Sequence, residues 1–165
     1  MIRHAATPPA RVTWHVAASP AGKLLIGATD QGAICRVAFM RTQSARDVVA
    51  AWAAEWPRTV FTQGTKAVDW TRAPILLTGT AFQYRVWRAM TKIPAGRTAS
   101  YGAIARAINQ PNAARAVGMA CGANPVPYFV PCHRVVAAGG KIGGFSSGLD
   151  IKVRLLKAEG VALSA

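Results

Sequence analysis

The hydrophobic pattern of this chain changes its period once, near Thr78-Gly79, and that change limits the fold more than any other feature. Before it, short apolar runs alternate with turn-forming clusters; after it, apolar residues recur three and four positions apart. Residues 12–17, 24–28 and 33–39 read as a three-stranded meander, separated by Ser19-Pro20-Ala21-Gly22 and Thr29-Asp30-Gln31-Gly32. Cys35 shares a strand face with Val37 and Phe39 and reads as a core residue. Ser44 to Trp56 has helical spacing, with Val48, Val49, Trp52, Ala53 and Trp56 in one stripe and Pro57 as the stop. Residues 58–79 admit a further strand around Val60 or around 75–77. Met1 to Arg11 reads as a loose tail without the apolar centre of a signal peptide.

Beyond Gly79 the reading is helical. Thr80 is placed to cap a helix with Phe82, Val86, Ala89, Met90 and Ile93 inward, ended by Pro94-Ala95-Gly96. Ser100 caps a second helix with Ile104, Ala105 and Ile108 inward. Gln110-Pro111 breaks that helix, and Asn112 is placed to cap a third running to about Cys121. Two short helices across so tight a turn suggest a helix-turn-helix. Projected at about 100° per residue, the third helix turns Ala113, Ala116, Val117, Ala120 and Cys121 inward. Asn112, Arg115, Gly118 and Met119 face outward, on a surface bare enough to lie against a groove. A last helix covers 149–158 and stops at Gly160. The expected fold class is therefore α+β. A small N-terminal antiparallel-sheet lobe with a helix occupies 1–78, and a mainly helical lobe containing the helix-turn-helix occupies 79–165.

Charge narrows the partners. The chain of 165 residues carries a formal charge of +14, with 9 basic and 4 acidic residues in 1–79 and 11 and 2 in 80–165. No carboxylate falls between Asp69 and Asp150. Such a balance points to nucleic acid or another anionic surface. No apolar run reaches the roughly 18 residues that span a bilayer. Cysteines at 35, 121 and 132 form neither a disulfide framework nor a Cys-x-x-Cys pair, so a reducing, cytoplasmic setting and no metal site are expected.

Pro131-Cys132-His133-Arg134-Val135 sets a thiol beside an imidazole in that carboxylate-free stretch. A free thiol with a pKa near 8.5 is only about 3% ionised at neutral pH, so a nucleophilic role calls for a pKa lowered by about two units. Neighbours in an extended segment point apart, so a turn or a bridging water is needed to join Cys132 to His133. A carboxylate to orient the imidazole must come from Asp150 or Glu159, and Glu159 is favoured because its end of the last helix can fold back.

That motif, preceded by Asn124-Pro125-Val126-Pro127, resembles the active-site signature of the O6-alkylguanine-DNA alkyltransferases, the methylated-DNA–protein-cysteine methyltransferases. Also similar are Gly79-Thr80-Ala81-Phe82-Gln83, Val86-Trp87, Ile93-Pro94-Ala95-Gly96, Ser100-Tyr101-Gly102, Arg115-Ala116-Val117-Gly118, Lys152, Leu155-Leu156 and Glu159. The likeness runs in order over about half the chain, and the N-terminal strands fit the family's variable first lobe only loosely.

The resemblance implies single-turnover repair of DNA without a cofactor, by a monomer docked in the minor groove with the alkylated guanine rotated out. Cys132 would accept the alkyl group, and His133, through a water, would be the base. Glu159 would orient His133, Asn124 would brace the turn and Tyr101 would serve the departing guanine. The backbone at Cys132 and Val135, with Ser146, would read the guanine edge, and Phe145 and Pro127 belong to the same pocket. Arg115 would fill the gap in the stack, with Tyr101, Gly102, Asn112, Ala113 and Gln83 also at the DNA. Lys152 reads as a structural or phosphate-facing charge. Phe145 stands where the family often has tyrosine, and Ser147 where it often has glycine. The competing classes are a lesion-binding relative that lacks the cysteine, and a thiol hydrolase or oxidoreductase.

Overall fold

In the computed structural model, which describes residues 1–163, the chain divides into two compact units, Met1–Gly79 and Thr80–Ala165. The first contains strands β1 (Ile2–Ala5), β2 (Arg11–Ser19), β3 (Gly22–Ala28), β4 (Ile34–Phe39), β5 (Val60–Gln63) and β6 (Ile75–Thr78), with helix α1 (Ala45–Glu55) between β4 and β5. They form one six-stranded sheet in the order β1-β6-β4-β3-β2-β5. β2, β3 and β4 make the antiparallel meander read from the sequence. The remaining strands join in parallel, β5 on β2 and β6 against both β1 and β4, so the sheet is mixed.

β1 replaces the loose tail expected at the N-terminus. Its side chains are exposed or half-buried, and it is held by backbone pairing, Ile2 opposite Ile75 through Ala5 opposite Thr78. A ladder of that kind leaves no alternation of apolar residues to read. The central strand is the opposite case. Leu24, Leu25 and Ile26 are buried on both faces of the sheet and form a continuous apolar run. α1 begins at a reciprocal cap between Ser44 and Asp47 and lays Val48 and Trp52 against Leu25. The Arg36 guanidinium stands 5.8 Å from the Trp52 ring centre and 4.9 Å from that of Trp56, and pairs with Glu55 at 2.6 Å.

The second unit contains α2 (Ala81–Met90), β7 (Ala99–Ser100), α3 (Tyr101–Ala107), α4 (Ala114–Gly122), β8 (Val135–Val136) and α5 (Leu149–Ala158), with single 3-10 turns at Cys132–Arg134 and Ala138–Gly140. Thr80 and Gln83 cap α2 reciprocally, and Ser100 accepts a bond from the Ala103 amide to start α3. α3 ends at Asn109, which takes the left-handed φ of 60°, while the Gln110 amide reaches back to the Ala105 carbonyl at 2.9 Å.

The entry to α4 differs from the sequence reading. Its cap position is Ala113, with no side-chain bond to the helix amides, and Asn112 sits exposed inside a turn closed by the Ala113 amide on the Gln110 carbonyl. A capping side chain needs extended backbone at its own residue, and the helical-like turn before α4 denies it. Val117, Ala120 and Cys121 face inward as expected, whereas Ala116 is exposed.

Two short features set the site. β7 pairs with β8, Ala99 opposite Val135 and Ser100 opposite Val136, which brings the start of α3 beside the turn at Cys132–Arg134. Trp87 of α2, 1% exposed, donates its indole N–H to the Ala120 carbonyl at 2.7 Å, near the C-terminal end of α4. A helix end leaves carbonyls without intrahelical partners, and this bond satisfies one of them in a buried place. Trp87→Phe removes the bond and leaves a smaller ring in the same place. It is expected to cost at least about 1–2 kcal/mol in urea unfolding; an unchanged midpoint would show that the bond contributes nothing to stability.

Candidate active site

Asn124, just beyond α4, shapes the loop that carries the thiol. Its Oδ1 accepts from the Val126 amide at 3.0 Å, and its Nδ2 donates to the Val130 carbonyl at 2.9 Å and to Cys132 Sγ at 3.2 Å. Between those points the chain reverses through Tyr128, at φ 77°, with the Val130 amide on the Val126 carbonyl. The Cys132 amide bonds Val130 and the Arg134 amide bonds Pro131, which closes the 3-10 turn. Within this turn Cys132 and His133 are both buried, at 5% and 0% exposure.

The imidazole is tied to the end of α5. His133 Nε2 lies 2.9 Å from Glu159 Oε1. Arg134 grips the same carboxylate, Nε at 3.0 Å from Oε2 and one terminal nitrogen at 2.7 Å from Oε1, while its other terminal nitrogen donates to the Ile93 carbonyl at 2.6 Å. Burial alone would raise the Glu159 carboxyl, but the bonds and charges of Arg134 and His133 outweigh it and hold its pKa at about 2. Ionised, it can only accept, so the proton of His133 sits on Nε2 and Nδ1 carries the lone pair. Nδ1 is buried and has no hydrogen-bond partner among the described residues. Burial also lowers the His133 pKa from 6.5, against the pull of Glu159, and keeps the ring neutral at neutral pH.

The thiol departs from expectation. Burial pushes the Cys132 pKa up to about 11, although the Asn124 bond, the Lys152 charge and backbone amides act to lower it. The resting group is a thiol rather than a standing thiolate. The positive field read from the sequence reaches this atom through one cation, Lys152. That lysine is fully buried, not phosphate-facing: its Nζ donates to the Val135 carbonyl at 2.7 Å and the Gly144 carbonyl at 2.9 Å. Burial lowers its pKa to about 8.

Cys132 borders a cavity of about 340 Å³ whose wall includes Tyr101, Gly118, Cys121, Gly122, Gly144, Phe145 and Ser146. Gly143 takes a φ of 70°, and a Cβ there would stand 3.0 Å from the Tyr101 hydroxyl, so this wall needs glycine. Burial raises the Tyr101 pKa, offset in part by a bond at the Gly144 backbone, and keeps its hydroxyl protonated.

The structure thus brings Cys132, Tyr101, Phe145 and Ser146 to one cavity, with His133, Glu159 and Asn124 behind the thiol. Val135 and Pro127 are buried but lie off the cavity wall. Arg115 and Asn112 are exposed, Gly102 and Ala113 half-buried, around α3 and α4. Gln83 lies in α2, where its Oε1 accepts from the Thr80 amide and closes the cap of that helix. Arg134 and the burial of Lys152 were missed. The signal for Arg134 lay in the charge count, since one of so few carboxylates had to hold both it and His133. Cys121, read as a core residue, lines the cavity.

A family model described as the DNA-binding domain of 6-O-methylguanine DNA methyltransferase matches residues 81–161. The methylated-DNA–protein-cysteine methyltransferase of Methanosarcina acetivorans is 41% identical over 151 residues, covering 86% of this chain and 94% of its own length. The chain belongs to the methylated-DNA–protein-cysteine methyltransferase family. The solved Mycobacterium tuberculosis O6-methylguanine methyltransferase superposes with a TM-score of 0.72 at 32% identity, over 90% of this chain and 92% of that one. The M. tuberculosis protein solved in complex with DNA superposes at 0.68 and 33% identity, over 90% and 93%. In this methyltransferase the matched segment holds the whole cavity and the Glu159 contacts behind it.

The Glu159 contacts have a pH signature. A carboxyl held at about 2 instead of 4.5 adds stability that is complete above pH 4.5 and disappears as the pH falls toward 2. Glu159→Gln is expected to unfold more easily than the parent at pH 6, with the gap closing on acidification below 4.5. A gap constant down to pH 3 would mean that the carboxylate is not held by charge.

Proposed function

We propose that this protein repairs DNA by direct reversal, moving the alkyl group of O6-alkylguanine onto Cys132 once per chain. The observation that carries the reading is the Cys132 thiol on the wall of an open cavity, next in sequence to an imidazole that Glu159 and Arg134 hold in one orientation. DNA as partner rests on the family match and on the DNA complex of the M. tuberculosis relative.

The duplex docks on α3 and α4 from its minor-groove side. Arg115 projects from the exposed side of α4, next to the small Ala116 and the exposed Met119. The alkylated guanine leaves the stack, at a cost of a few kcal/mol that is smaller for a poorly paired base, and enters the cavity beside Tyr101, Phe145 and Ser146.

The Cys132 proton passes through a bridging water to the lone pair of His133 Nδ1, and Glu159 stabilises the imidazolium that forms. Sulfur attacks the alkyl carbon, a new S–C bond forms and the C–O6 bond breaks. The electron pair left on guanine is neutralised by a proton, with the Tyr101 hydroxyl as donor. The thioether has no route back to a thiol within the site, so each chain acts once. Because the resting thiol is neutral, charge develops only with the reaction, and the Lys152 ammonium and Asn124 amide face it where it appears.

The presence of Cys132 counts against a lesion-binding relative without repair, and a hydrolase or oxidoreductase would turn over repeatedly. Mixing the protein with a duplex carrying O6-methylguanine and weighing it intact separates these readings. One methyl group per chain is expected, on Cys132, and none in Cys132→Ala; no added methyl on the parent protein would reject the proposal.

A further inference from the structure

The cavity holds a second sulfur that alkyl transfer does not use. Cys121 lies in the last turn of α4 and Cys132 opens the 3-10 turn, and both border the same space. Asn124 ties the two segments together: its amide N–H bonds the Cys121 carbonyl at 3.3 Å, and its side chain bonds Cys132 Sγ at 3.2 Å. The Cys121 thiol makes a weak bond, at 3.5 Å, to the Met90 sulfur. Gly122 follows it and also borders the cavity, and a Cβ there would meet nothing within 4 Å.

We infer that Cys121 and Cys132 form a reversible oxidative modification site, at which a peroxide closes a disulfide across the alkyl-acceptor cavity. A peroxide oxygen is transferred to the Cys132 sulfur, which has His133 as base, and leaves a sulfenic acid and water. The Cys121 sulfur then attacks; the S–S bond forms, the S–O bond breaks, and the released hydroxide takes the Cys121 proton as a second water. Two electrons pass from the sulfurs to the peroxide. Burial holds both thiols protonated, Cys132 at about 11 and Cys121 at about 12, and the charge of Cys132 adds to the rise at Cys121. The pair therefore rests reduced until an oxidant arrives. The disulfide shields Cys132 from irreversible oxidation and fills the space an alkylated base would enter. Cys35, buried in the first unit with its thiol on the Gly27 carbonyl, has no place in the exchange.

This goes beyond alkyl transfer, and its main readout does not depend on it. The protein is treated with hydrogen peroxide, weighed intact, and digested at Tyr128 and Phe129, which separates the two cysteines unless they are bonded. The expected result is loss of two hydrogens, a Cys121–Cys132 link with Cys35 free, and alkyl acceptance that is lost and then restored by dithiothreitol. In Cys121→Ser and Cys121→Ala, each referred to its own activity before oxidation, Cys132 gains oxygen atoms and acceptance is not restored. A parent protein whose Cys132 gains oxygen without a link, or links to Cys35, overturns the inference, as does recovery in the variants equal to that of the parent.

Discussion

The Glu159 carboxylate, held between His133 and Arg134, is the contact on which the rest of the site depends. It fixes three things at once: the end of α5, the turn carrying the thiol and, through Arg134, the Ile93 carbonyl beyond α2. Its ionised state dictates which nitrogen of His133 holds the proton, and so leaves the lone pair on Nδ1. An isolated buried carboxylate would be costly, but here a doubly bonded guanidinium and an imidazole N–H satisfy it. The positive excess of the chain finds one of its few balancing charges at this point.

Burial sets the chemistry of the thiol. Cys132 must be shielded to meet a base inside a cavity, and shielding disfavours the anion that attacks. The structure does not resolve this conflict by creating a standing thiolate. The Asn124 amide bonds the sulfur and the buried Lys152 ammonium favours its anion, while the proposed transfer takes the proton to His133. Lys152 also joins Val135 to Gly144, so the cation that favours the anion helps hold the cavity wall in place. Glycine at 143 lets that wall close on the Tyr101 hydroxyl.

Much of this was legible in the sequence wherever a local pattern carried it. The meander, α1, α2, α3 and α5 announce themselves through apolar spacing and through Ser44, Thr80 and Ser100 at their starts. Glu159 could be singled out because so few carboxylates were available. β1, β5 and β6 were hidden or ambiguous because each is four residues long and held by pairing with distant strands, which no local window records. The role of Asn112 was misread because its residue type suits a cap while the turn around it does not. The raised pKa of Cys132 was invisible for a related reason: charge can be counted along a chain, but desolvation depends on what folds over the atom. Arg134 and Lys152 were present in the motif, yet their partners lie 25 and 17 residues away and come together only in the folded unit.

The central claim is that a neutral thiol gives its proton to a neutral His133 as the alkyl group is transferred. Single-turnover transfer from an alkylated duplex, at saturating DNA, tests it most directly as a function of pH. With the His133 pKa lowered from 6.5 and that of Lys152 at about 8, the rate constant should show no rise over about pH 7 to 9; it should fall on the acid side as the imidazole gains a proton, and on the alkaline side as Lys152 loses its own. A rate constant that climbs about tenfold per pH unit across that range would mean that solvent-generated thiolate is the reactant, and that the His133–Glu159 pair takes no part in the proton transfer.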